Sequence, residues 1–290
     1  MIDFVSTLVS GVLTGAVWAL LALAFVVVFR STDVFNFATP QVGVVAAFFA
    51  LVTLVGAGVP IVLAVLAAMA LAAVLSLAIE RVCIRPLGPG SLFAAVVVTF
   101  GLAIVLEALI AEIWGHDPRR VEPLIAGNVV MGDVVISKHK LLTFGIAVVV
   151  MIVMALFFRL TRTGVAMLAA AADDEAARVV GIDTIRVGQY AWAMGGALAA
   201  LAAVLLAGQT FLSASLLAHA TVLAFASMFL GGLTSMGGVV IGGFAIGLLE
   251  NFASQYISVG FTTTTVVLLV LVMLLLRPAG LFGASAAVRV

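Results

Sequence analysis

Charge is scarce in this sequence. Asp, Glu, Lys and Arg make up 9% of the 290 residues, while 65% are hydrophobic; soluble domains carry about 25% charged residues. A chain this poor in charge cannot cover its surface in water, and a mean hydropathy of +1.39 says the same. Positive and negative charges balance at 13 each, so no nucleic-acid partner is implied. The single Cys83 excludes an internal disulfide, and His116, His139 and His219 are scattered without metal-ligand spacing. Lysine is confined to Lys138 and Lys140, and no G-x-x-x-x-G-K-[ST] phosphate loop occurs. Alternating strand patterns are missing as well: the apolar runs are continuous over about 20 residues, which argues against a β-barrel.

What is present is a series of runs long enough to span a bilayer, each needing about 20 apolar residues. Residues 8–29, 34–55, 59–79, 92–114, 141–158, 189–207 and 256–276 qualify. No basic segment precedes the first run and Asp3 stands at its start, so it reads as a retained helix and not a signal peptide. Residues 220–252 are too long for one span and are interrupted by Gly231, Gly232, Gly237, Gly238, Gly242 and Gly243. They read as a broken helix pair, either a re-entrant hairpin or two thin spans. The 28 glycines and many alanines suit helices packing closely in lipid. The expected fold is all-α: one polytopic membrane domain over residues 1–290, with about seven clear transmembrane helices and the Gly-rich pair.

Orientation follows from basic residues in short loops. With residues 159–186 placed in the cytoplasm, Arg30, Arg81, Arg85, Arg159, Arg162, Arg178 and Arg186 fall inside, whereas Arg119, Arg120, Lys138 and Lys140 fall outside. The N-terminus is then outside. Arg277 and Arg289 reach the cytoplasm if the broken pair returns to the side from which it came.

Residues 159–186 form the longest polar island, carrying eight charged side chains: Arg159, Arg162, Asp173, Asp174, Glu175, Arg178, Asp183 and Arg186. Good helix formers run from Ala166 to Val180, and Gly181 can stop that helix in a left-handed conformation. Small Ala176 and Ala177 permit close approach of a partner, with which Glu175 and Arg178 can pair; the alternative is a solvated connecting helix. Asn36, Thr39 and Gln41 flank Pro40 at the start of the second run. They either line a cavity for a small polar solute or mark an ordinary helix start at the interface. Glu107, with Thr99 two turns earlier, either faces the pathway and selects against anions or reaches the outer interface beside Glu112. Glu250 is open in the same way. Gly237 and Gly238 are candidates for a hinge, the other glycines for tight packing. The outer loop, residues 115–140, carries Asp117, Arg119, Arg120, Glu122, Asp133, Lys138 and Lys140. It is either a dock for a binding protein or a solvated loop.

Three features together resemble a known family: Glu175-Ala176-Ala177-Arg178-Val179-Val180-Gly181, Asn36-Phe37-Ala38, and the C-terminal series Gly231–Gly243, Glu250 and Arg277–Gly283. In this order they look like permease subunits of ABC importers for branched-chain amino acids, with their urea and amide relatives. The likeness covers essentially the whole chain. Two positions depart from it: Thr39-Pro40 stands where the family usually has His-Gly, which bears on the substrate, and Ala193-Met194 stands in place of Leu-Pro. The resemblance implies that Asp174, Glu175, Ala176, Ala177, Arg178 and Gly181 form a cytoplasmic coupling helix seated in a groove of an ATPase. It implies two ATPase subunits that hold ATP and Mg, a second permease (identical or homologous), an extracytoplasmic solute-binding protein and a bacterial inner-membrane location. The chain itself would hold no cofactor and catalyse no covalent step. Its cargo would be a small polar solute such as a branched-chain amino acid, urea or an amide. A secondary transporter, a solute channel and an intramembrane enzyme are the rival readings, with only Glu107 to supply ion coupling and no catalytic cluster.

Overall fold

The computed structural model describes residues 2–88, 91–131, 134–277 and 280–283. Asp133, Pro278 and Arg289, which figure in the expectations above, lie outside the described residues. The architecture is helical. Among the described residues seven helices are long and apolar enough to cross a membrane: Asp3–Thr32, Ile61–Leu87, Leu92–Trp114, Lys138–Leu160, Thr184–Ala207, Met236–Tyr256 and Val259–Leu276. This is the all-α, multi-pass fold expected, with one exchange of members. The run at 34–55 is not a full helix, whereas the second half of the Gly-rich pair is.

By backbone proximity the chain divides into two compact units. The first comprises Met1–Val26, Ile125–Met151 and Ala220–Val290. It contains most of α1 (Ile2–Thr32), the hairpin β1 (Asn128–Met131) and β2 (Val134–Ser137), the start of α5 (Lys138–Leu160), and α9 (Ala218–Gly231), α10 (Met236–Tyr256) and α11 (Thr262–Leu276). The hairpin was not foreseen: Asn128 pairs with Ser137 and Met131 with Val134 in antiparallel register, on β-branched residues inside a loop that reads as polar. A seam of missing side chains fixes α1 against α10. A Cβ on Gly247 would stand 2.3 Å from the Gly15 backbone, and one on Gly243 would stand 2.4 Å from Ala19. Such distances leave room only for glycine, and close backbone approach is how helices gain packing contact in lipid. Along this seam Trp18 donates its indole N–H to Glu250 Oε2 at 2.6 Å, which gives the carboxylate of α10 a partner. The final segment closes α9: Leu281 N–H donates to Leu230 O at 2.9 Å and Phe282 N–H to Gly231 O at 3.2 Å, satisfying carbonyls that a helix end leaves open.

The second unit comprises Val27–Leu124 and Ile152–His219. It holds the end of α1, α2 (Thr39–Phe48, extended by a π-helical turn to Leu54), α3 (Ile61–Ile79), α4 (Leu92–Trp114), α6 (Arg162–Ala172), α7 (Asp174–Val179) and α8 (Thr184–Ala207). At its centre is α8, buried along nearly its whole length and packed against α2 and α3. Small residues make this possible. The buried stripe of α3 is Ala64, Ala68, Ala72 and Ser76, at four-residue spacing, and a Cβ on Gly196 of α8 would meet Ser76 Oγ at 2.2 Å. Likewise Gly43 of α2 lies on the Ala199 backbone, where a Cβ would stand 2.6 Å away.

Candidate functional site

The polar island does not form the single helix expected from Ala166 to Val180. Asp173 is extended, at φ −160° and ψ 104°, and separates α6 from α7. Aspartate competes for backbone N–H groups and prefers helix starts to helix interiors. Here its Oδ1 accepts from Ala176 N at 3.0 Å, capping α7. Asp174 and Glu175 then occupy the first turn and Arg178 the last, each sign at the helix end that favours it. Arg178 pairs with Asp174 at 2.6 Å, with both side chains half exposed or more, and its Nε also donates to Thr184 Oγ1 at 3.0 Å. Gly181 ends the helix at φ +88°, which lets Ile182 N–H return to Ala177 O at 3.0 Å. Both ends of this six-residue helix are thereby satisfied locally. Its apolar groups are not: Ala177 is buried, but Val179 is 87% and Val180 75% exposed. Glu175 and Ala176 are exposed beside them.

Asp174 and Arg178 also line a cavity of about 510 Å³ with Ala170 and Ala171 of α6, Arg30, Asp33, Glu80 and Arg85, and with Trp192 of α8. Asp33 follows α1 in a left-handed conformation, φ +53°. Burial and then the nearby Asp174 carboxylate hold its carboxyl above the ordinary range. Sequence reading did not single out Arg30 or Asp33 for this place. The polar run Arg30-Ser31-Thr32-Asp33 at the end of a long apolar helix was the available signal.

The second polar cluster lies elsewhere in the same unit, and none of its residues lines that cavity. After Asp33 the chain runs without regular structure to Ala38, before α2 begins. Thr99 Oγ1 donates to Phe35 O at 3.2 Å, Gln41 Nε2 approaches Glu107 Oε2 at 3.5 Å, and the rings of Phe48 and Trp114 meet with centroids 5.5 Å apart. These contacts set α2 alongside the second half of α4. At 1.5 Å per residue, Thr99 stands about 10 Å and Glu107 about 22 Å along α4 from its start. The helix start with Asn36, Thr39 and Gln41 is therefore well inside the length of a span, not at its edge. Asn36 Oδ1 accepts from Ala38 N at 3.0 Å, an Asx turn that shapes the break. Thr99 is fully buried and satisfied by backbone carbonyls. Thr39 Oγ1 and Gln41 Oε1 are different: both are buried, at 1% and 7% residue exposure, and neither has a hydrogen-bond partner. A buried unsatisfied polar atom costs about 1–3 kcal/mol. The Gln41–Glu107 approach brings together two expected residues 66 apart in sequence.

The glycines considered for a hinge lie in the first unit, in the first turn of α10. Ser235 caps that helix through Gly238 N at 3.0 Å. A Cβ on Gly238 would stand 2.3 Å from Gly231 O, whereas one on Gly237 would meet nothing within 4 Å.

Residues 7–276 match the family described as branched-chain amino acid transport system, permease component. The chain is similar to the high-affinity branched-chain amino acid transport system permease protein BraD of Pseudomonas aeruginosa, 30% identical over 99% of this chain and 98% of that one. It is also similar to the corresponding permease protein LivH of Escherichia coli K12, 27% identical over 99% and 98% of the two chains. Among solved structures, a chain of PsaBC from Streptococcus pneumoniae in complex with Fab is similar with a TM-score of 0.45 and 15% identity, covering 96% of this chain and 91% of that one.

Proposed function

The chain belongs to the family of permease components of branched-chain amino acid transport systems, and from that premise we propose how it works. It forms, as one membrane domain, part of the path of an ATP-driven importer for a branched-chain amino acid. Two ATPase subunits, which hold ATP and Mg, dock on α7, and a second permease, identical or homologous, completes the path. An extracytoplasmic binding protein delivers the solute, with residues 115–140 as its dock. In the bacterial inner membrane α7 faces the cytoplasm, the N-terminus lies outside and the C-terminus inside. Closure of the ATPase dimer pushes Asp174, Glu175, Ala176, Ala177, Arg178 and Gly181 as a unit. The membrane helices then move as rigid bodies to alternate access, with Gly237 and Gly238 as the hinge and Asn36, Thr39, Gln41, Thr99 and Glu107 along the path.

The observation that carries this reading is α7 itself. A helix of six residues is too short to persist by backbone propagation alone, yet this one is capped at both ends and presents two exposed valines beside Glu175. Apolar side chains held out on a rigid polar support suit the groove of a partner protein. The test is reconstitution of the permease with ATPase subunits and a binding protein in proteoliposomes. ATP-dependent uptake of leucine, isoleucine or valine is expected. Uptake that runs without the ATPase subunits would instead indicate a secondary transporter or a channel and would overturn the proposal.

A further inference from the structure

We propose that Gln41 and Glu107 form the station at which the path recognises the ammonium group of its solute. This rests on the reading above that α2 and α4 border the path, and it assigns a chemistry to one place on it.

The inventory of donors and acceptors points in one direction. Gln41 turns its amide Nε2 toward Glu107 Oε2 at 3.5 Å, the outer limit of a hydrogen bond. Its carbonyl Oε1 is buried without a partner. Among the described residues no lysine or arginine pairs with Glu107; the ion pairs there are Arg178–Asp174 and Arg186–Asp183. The pair thus offers a carboxylate and an amide carbonyl, both acceptors, with no cation and too few donors. An ionisable group within a span is costly and is kept where it serves a pathway or has a partner. The missing complement is a compact cationic donor. A primary ammonium carries three N–H groups, enough to meet Gln41 Oε1 and a Glu107 oxygen together. A carboxylate or an apolar group in the same place would face Glu107 unfavourably. The fold also holds the site in place: the chain becomes helical only at Thr39, and Gly43 pins α2 to the α8 backbone. Thr39 is two residues from Gln41 and so faces a different side of α2; it is not needed for this assignment.

The test uses the complete importer in proteoliposomes with binding protein saturated by L-leucine, and reads leucine taken up per ATP hydrolysed. Glu107→Gln preserves size and removes the charge; uptake per ATP should fall at least about tenfold. Glu107→Asp keeps the charge and should retain uptake per ATP within about threefold of the parent. An unchanged ratio in Glu107→Gln would overturn the assignment. So would Glu107→Asp failing as badly as Glu107→Gln, because packing and not charge would then be what matters. If the parent importer takes up no leucine under ATP, the path reading itself fails and carries this assignment with it.

Discussion

The two polar places of the second unit are complementary in what they lack. On α7 the polar ends have local partners, and the exposed Val179 and Val180 have none. On α2 the apolar groups are packed, and it is the polar atoms Thr39 Oγ1 and Gln41 Oε1 that are left over. Each place is short of what its surroundings cannot supply: an apolar surface in water for α7, hydrogen bonding inside the span for Gln41. In the proposed function a protein groove answers the first need and a small polar solute the second. The glycine seam between α1 and α10 shows the contrasting case, in which facing backbones fill the space and nothing is left over.

The largest effect that would break this comparison comes from charging the exposed face of α7. Val179→Asp combined with Val180→Asp should weaken association with the ATPase subunits by about 2 kcal/mol, roughly thirtyfold. Stability of the isolated permease should shift by no more than about 0.5 kcal/mol, as for other surface changes; pull-down titration and thermal melting measure the two. Gln41→Leu tests the other side. Removing the unpaired carbonyl should stabilise the permease by up to about 1 kcal/mol, less what the lost 3.5 Å contact of Nε2 with Glu107 contributes, and at the same time reduce leucine uptake per ATP about tenfold. A gain in stability with transport intact would mean that the unpaired atom serves no ligand. Gly181→Ala forces a side chain into φ +88° at about 1–2 kcal/mol, and it should speed hydrogen exchange of the α7 amides before it affects global melting.

The smallest effect concerns Asp33. A carboxyl held above its ordinary range binds its proton more tightly folded than unfolded, so its ionisation destabilises the fold as pH rises through that range. Asparagine carries no charge and tolerates φ > 0 as aspartate does. Asp33→Asn should therefore stabilise the fold slightly at neutral pH, by less than about 1 kcal/mol given the screening. Melting curves would show this as a small rise that vanishes at acidic pH.

Much of this organisation was legible in the residues. Continuous apolar runs marked the helices, because a membrane span leaves no choice but to satisfy its backbone internally. Pro40 among Asn36, Thr39 and Gln41 marked the broken entry to α2. What composition could not carry was position along the span: the Phe35–Thr99, Gln41–Glu107 and Phe48–Trp114 contacts fix where that break lies along α4. The division of α6 from α7 was hidden because Ala166–Val180 are mostly good helix formers, and one side-chain cap at Asp173 outweighs that average. The β1–β2 hairpin was hidden by the charges around it, although Val129, Val130, Val135 and Ile136 carry strand-forming branches. The exchange of full-length spans has a packing cause: of the α10 glycines, Gly243 and Gly247 meet α1 backbone and Gly238 and Gly242 meet α9 backbone, which propensity alone does not register.

The central claim is that α7 receives energy and the Gln41–Glu107 pair receives solute. The most direct measurement is a side-by-side assay of the reconstituted importer carrying either Val179→Asp with Val180→Asp or Glu107→Gln, recording binding-protein-stimulated ATP hydrolysis and leucine uptake together. The α7 variant should lose both activities in parallel. The Glu107 variant should continue to hydrolyse ATP while moving far less leucine for each ATP consumed. If both variants lost the two activities in the same proportion, or if the α7 variant kept stimulated hydrolysis, the division of roles between the two places would be contradicted.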